Sequence, residues 1–172
     1  PALRGRHEQA RFSFEEARAN MPGNPWFEDP RPGECNILAV IDIARDELLW
    51  ASAGHPPPTL VRPDGSFVTL DDPAPPIGFP MDDDYRVHVE AFAPGALLVL
   101  TTDGIIEARG TEGMFGEERL VETIVRLSTM TASAIAQGVY HAARQFAGGA
   151  LHDDAALAVV RRSPQPANRP SR

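Results

Sequence analysis

Residues 98–109 read LVLTTDGIIEAR. The run ALLVLTT (96–102) is short, continuous and apolar, which predicts a strand covered on both faces. It ends on Asp103-Gly104, and apolar residues resume at once. Asp-Gly alone is most often a turn. A second acidic corner, Asp153-Asp154, leads into ALAVVRR (156–162), which predicts a buried last strand. If these strands are antiparallel neighbours, the end of one lies beside the start of the other, and two or three carboxylates converge at one end of a sheet. Carboxylates that close oppose each other's ionisation, and a divalent cation relieves the conflict. Oxygen-only ligation suits Mg2+ or Mn2+ rather than zinc. A cation held by few carboxylates keeps waters, and an acidified water is suited to hydrolysing a phosphate ester without a covalent intermediate.

Working outward, NILAVIDIA (36–44) and LLWASAG (48–54) predict a β-hairpin about the turn ARDE. Residues 59–70 repeat the strand–turn–strand signature with Asp64-Gly65 at the bend. DDPAPPIGFPMDDD (71–84) is a Pro-rich acidic loop. YRVHVEAF (85–92) alternates, and places Tyr85, Val87, Val89 and Ala91 on a buried face against Arg86, His88, Glu90 and Phe92. Helical spacing follows at 117–128, with Leu120, Ile124 and Leu127 inward. A second helix spans 131–147, with Thr131 or Ser133 as N-cap and Gly148-Gly149 as the stop. Residues 1–20 suggest a moderately amphipathic helix, and the Pro-rich stretch 21–34 ends it, with Trp26 and Phe27 fastening that loop to the core. Strands, then helices, then one strand make an α+β layout with mainly antiparallel pairing. The expected organisation is a poorly defined segment 1–34, one domain over 35–162, and a polar, disordered tail over 163–172.

The 172-residue chain carries a net charge of −8, and all sixteen of its basic residues are arginine. That balance argues against nucleic acid or an anionic membrane as the main partner. The lone Cys35 excludes an internal disulfide and a cysteine zinc cluster. No stretch approaches the length of a membrane span, and the polar first residues are not a signal peptide. A cytoplasmic protein is the expectation. His55, in AGHPPP, reads as a structural hydrogen-bonding residue near the site, because three prolines stiffen the corner after it. His88 reads as ordinary surface, as do His7 and His141, while His152 adjoins the acidic pair. Asp82, Asp83 and Asp84 read as a solvated loop.

Four stretches, SAGHPPPTLVRPDG, PPIGFP, LLVLTTDGIIEAR with GMFGEERL, and DDAALAVVRR, together resemble the SpoIIE-type branch of the metal-dependent, protein phosphatase 2C-like phosphatases. The resemblance covers residues 36–162. It implies an α+β fold, a β-sandwich of mainly antiparallel sheets flanked by helices, and hydrolysis of phosphoserine or phosphothreonine with a pair of Mn2+ or Mg2+ ions. It also implies a phosphorylated protein substrate, an anti-anti-sigma factor. Carried onto this chain, Asp103 of the Thr-Asp-Gly motif and Asp153 of the Asp-Asp motif ligate one ion, and Asp154 is the poorer ligand. Gly104 and Gly54 with His55 are site-shaping, and Gly78 matches a glycine that shapes a turn.

The family domain opens with a Gly-Asp motif and an Asp-Val-x-Gly-His-Gly motif, which provide the aspartate that bridges both metals. Neither stands in residues 1–35. The chain therefore resembles the C-terminal part of the domain, lacking N-terminal strands, and at most one ion is expected on it. Uncovered sheet edges imply a homodimer, a partner, or a missing N-terminal segment. The alternatives to an enzyme are a degenerate, non-catalytic domain that binds a signalling partner, and a structural module without a site.

Overall fold

A computed structural model of the chain describes Gly33 and residues 35–79 and 85–163. The expected helix in 1–20, the Trp26–Phe27 anchor, the acidic run 82–84 and nearly all of the expected tail lie outside the described residues. The chain divides into two compact units. Of the described residues, one contains those up to His55 together with those between Asp72 and Ala91, and the other Pro56–Asp71 together with those from Phe92 onward.

The first unit holds a three-stranded antiparallel sheet ordered β1 (Asn36–Asp42), β2 (Glu47–Ala53), β5 (His88–Ala91). The β1–β2 hairpin forms as its sequence predicts, with Asn36 opposite Ala53 and Asp42 opposite Glu47. Its corner is fastened by Asp42, whose Oδ1 accepts from the Ala44 and Arg45 amides at 2.9 and 3.0 Å, while Arg45 donates to Oδ2 at 2.7 Å. Asp46 takes a positive φ of 59° there, a conformation that aspartate tolerates. Leu48, Trp50 and Ser52 form the buried face of β2.

The expected faces of β5 need correction. Trp50 lies opposite His88 and Leu48 opposite Glu90, so the two polar side chains share the buried face of β2. At the strand's end Phe92 is buried and Ala91 exposed, the reverse of the alternation. Period 2 identifies a strand, but which side is inside depends on partners. His88 stacks on Trp50, with ring centroids 4.4 Å apart and planes at 20°. Its Nε2 lies 2.7 Å from Asp72 Oδ2. A histidine with a ring partner and a carboxylate partner is satisfied at a half-buried position, and it is not the ordinary surface residue expected.

The second unit holds a four-stranded antiparallel sheet ordered β4 (Phe67–Thr69), β3 (Thr59–Val61), β6 (Leu97–Thr101), β9 (Leu157–Arg161). Central β6 pairs with β3 on one side and β9 on the other, and this explains its unbroken apolar run. Downstream come a short helix α1 (Asp103–Ile106), a two-residue ribbon β7–β8 (Arg109–Gly110 and Gly113–Met114), α2 (Gly116–Leu127) and α3 (Ala132–Phe146). Thr131 rather than Ser133 caps α3, its Oγ1 accepting from the Ala134 amide at 3.2 Å. One core cluster joins Val61, Leu97 and Val99 of the sheet to Leu120 and Ile124 of α2 and Ile135, Val139 and Ala143 of α3. Each large apolar side chain fully buried there contributes about 1.5–3 kcal/mol.

The last strand is less buried than expected. Leu157 and Val159 pack against the core, but Ala158 and Val160 are exposed. Among the described residues β9 is also an edge strand, paired on one side only, with β6.

Candidate functional site

The junction of β6 and β9 brings the two acidic corners to one end of the second unit's sheet. The ladder pairs Thr101 with Leu157 and continues with the Thr102 amide donating to the Ala156 carbonyl at 3.0 Å. There the chain leaves β6 and enters α1 at Asp103. On the opposite strand, Asp153 and Asp154 immediately precede the residues that join the ladder.

Gly104 is what lets the corners close. A Cβ on this residue would stand 2.5 Å from the Asp154 carbonyl oxygen and 2.9 Å from its carbon. Real Cβ atoms do not approach backbone so closely, so the requirement is for space and not for a special φ. Asp103 and Asp153 are both exposed, and they are anchored alike. Asp103 Oδ1 accepts from the Gly104 amide at 2.9 Å, and Asp153 Oδ1 accepts from the Asp154 amide at 2.8 Å. Among the described residues no cationic side chain pairs with Asp103, Asp153 or Asp154. The donors are oxygens only, the preference of a hard divalent cation. They fit such an ion as an incomplete set, since no three His, Cys, Asp or Glu side chains gather around a possible metal position among the described residues.

The other expected site-shaping residues belong to the first unit. Gly54 takes a φ of +73°, and a Cβ there would fall 2.7 Å from Pro76 Cγ. It needs glycine on both counts. Gly78 follows in the turn after Pro76 and Ile77, with a φ of 86°. His55 accepts through its carbonyl from Ser52 Oγ at 3.5 Å. His152, beside the acidic pair, is exposed.

Two features escape a sequence reading. One is the Asp72–His88–Trp50 cluster. The other is Thr102, whose Oγ1 accepts from the Ala156 amide at 2.9 Å and donates towards the Asp154 carbonyl at 3.1 Å, with a longer 3.4 Å approach to the Ala156 carbonyl. Thr102 precedes a helix, a position that predicts a local N-cap. Nothing local shows that its partners lie on the far side of the helical region.

The chain is 28% identical over 127 residues to phosphoserine phosphatase RsbU of Bacillus subtilis, which covers 73% of this chain and 38% of that protein. It is 33% identical over 89 residues to protein IcfG of a Synechocystis strain, covering 51% of this chain and 14% of that protein. It thus spans well under half the length of these curated relatives. Its fold matches the phosphatase domain of the cell fate determinant SpoIIE from Bacillus subtilis with a TM-score of 0.64 at 22% identity, over 77% of this chain and 58% of that one. This is the α+β, protein phosphatase 2C-like fold expected. Residues 34–163 match the family described as Stage II sporulation protein E, and the chain belongs to that family.

Proposed function

We propose that the chain contributes to metal-dependent hydrolysis of phosphoserine or phosphothreonine on a bacterial signalling protein, of the anti-anti-sigma type. The carrying observation is the seam between the acidic corners, where Gly104 packs on the Asp154 carbonyl and the end of β6, leading into Asp103, pairs with the start of β9, which follows Asp153 and Asp154. Membership in the sporulation protein E family and the likeness to a phosphoserine phosphatase support this choice. So does the manganese presoak of the solved SpoIIE phosphatase domain.

In this proposal Asp103 and Asp153 hold one Mn2+ or Mg2+, with Asp154 as the poorer ligand. Each ligating carboxylate keeps one oxygen on its neighbour's amide, which fixes the direction of the other. The ion supplies Lewis acidity and an acidified water. Exposure of both carboxylates leaves the site open to a residue on a protein substrate. The remaining ligands are water or groups from outside the described residues.

A second reading is favoured by the incomplete ligand set: a non-catalytic domain that binds its signalling partner. The full chain is incubated with Mn2+ and either p-nitrophenyl phosphate or a phosphorylated anti-anti-sigma protein, beside Asp103→Asn and Asp153→Asn. Manganese-dependent turnover that falls by a factor of 100 or more in each variant is the expected result, as for loss of a direct ligand. Partner binding without turnover in the unaltered chain selects the second reading.

A further inference from the structure

We infer that Thr102 is a positioning residue that sets the spacing of the two acidic corners and so tunes affinity for a divalent cation. The inference rests on the proposed metal site, but its own evidence is separate. A threonine before a helix ordinarily turns its hydroxyl onto its own first turn. Thr102 occupies that position ahead of α1, yet makes no side-chain capping bond. Its hydroxyl reaches instead across the sequence to β9's lead-in, accepting from the Ala156 amide and donating to the Asp154 carbonyl.

The arrangement has a geometric consequence. Regular pairing is ending at this point, because one strand turns into a helix and the other arrives from an acidic turn. Backbone groups at such a fork lose their ladder partners and are satisfied otherwise. A single hydroxyl does this for two groups on the β9 side. One peptide bond from that hydroxyl's residue is Asp103, and one peptide bond from its acceptor residue is Asp153. Gly104 removes the side chain that would hold the corners apart, and Thr102 supplies the bonds that hold them together. Without the hydroxyl only the Thr102 amide, donating to the Ala156 carbonyl, still joins the corners at this residue, so the seam is free to relax towards greater separation.

The test compares Thr102→Val, which keeps the shape but has no hydroxyl, with Thr102→Ser, which restores it. Ala156→Pro deletes the same amide donor from the opposite strand. Mn2+ binding to the full chain is read by water-proton relaxation, which detects weak sites, and thermal unfolding is followed without metal. Thr102→Val is expected to weaken Mn2+ binding about tenfold or more, with Thr102→Ser close to the unaltered chain. Weakened affinity in a variant that still unfolds cooperatively separates positioning from general destabilisation. Should Thr102→Val fail to fold, Ala156→Pro decides by the same criterion. Unaltered Mn2+ affinity in the folded variant, while Asp103→Asn and Asp153→Asn lose binding, overturns the role of Thr102 and leaves the metal site standing. Absence of Mn2+ binding in the unaltered chain overturns both.

Discussion

Gly104 shows how one missing methyl group controls a junction. Its backbone is not in the left-handed region, so alanine is conformationally acceptable. Space forbids it, because the neighbour is the Asp154 backbone and not a flexible side-chain tip. Gly104→Ala is therefore expected to cost about 1–3 kcal/mol, the range for overpacking a site that cannot yield, read as a lowered midpoint in denaturant unfolding. Gly113, by contrast, has open space where its Cβ would be, so a side chain there meets no such steric cost. The Asp-Gly pair is visible in sequence, but the carbonyl that excludes a side chain lies on another strand. His88 shows the same separation of local from tertiary information: its alternation marks a strand residue, while Trp50 and Asp72 decide that it is half-buried and stacked.

Hairpins and helices were the most legible elements, because their signals are local. Asp42 ties the β1–β2 corner, and the Arg45 side chain, ahead of the Arg45 and Ala44 amides, holds its carboxyl below the ordinary value of 3.8. A carboxylate whose folded pKa is depressed adds stability above its unfolded value. That contribution is lost as pH falls through the folded value. Asp42→Asn should therefore flatten the dependence of hairpin protection on pH below about 4, as read by amide exchange across Asp42–Glu47. At the start of α3, Thr131→Ala removes the cap on the Ala134 amide and should cost about 1 kcal/mol in thermal unfolding. Thr131→Ser should restore most of it. The short α1 and the β7–β8 ribbon have no strong periodic signature, since two to four residues are too few to show a period. Their positions follow from what surrounds them: Gly110 fits against the Phe146 carbonyl, and Phe115 meets Phe146 edge to face at 5.8 Å.

Across the whole chain, the second unit's stability is concentrated where α2 and α3 cover one face of its sheet. Ile135 is wholly buried in that cluster. Ile135→Ala should cost about 2–5 kcal/mol, the lost transfer energy plus a cavity term, with loss of helical circular dichroism at a lower temperature. Apolar periodicity placed these helices within a residue or two and picked Leu120 and Ile124 as inward, because burial of a helix face is written at i, i+3 and i+4. The same periodicity misjudged the last strand: an apolar run does not reveal whether a second layer or a neighbouring strand will cover it, and among the described residues β9 is an edge. The sequence alone, then, determined the α+β class, the hairpins, the two long helices and the acidic corners, since each is encoded by neighbours along the chain. Tertiary structure alone decided that Thr102 reaches the start of β9, that Gly104 must be bare, and that His88 lies against Trp50. Those relations depend on strand pairing between distant residues, and no local preference specifies which distant strand will be the partner.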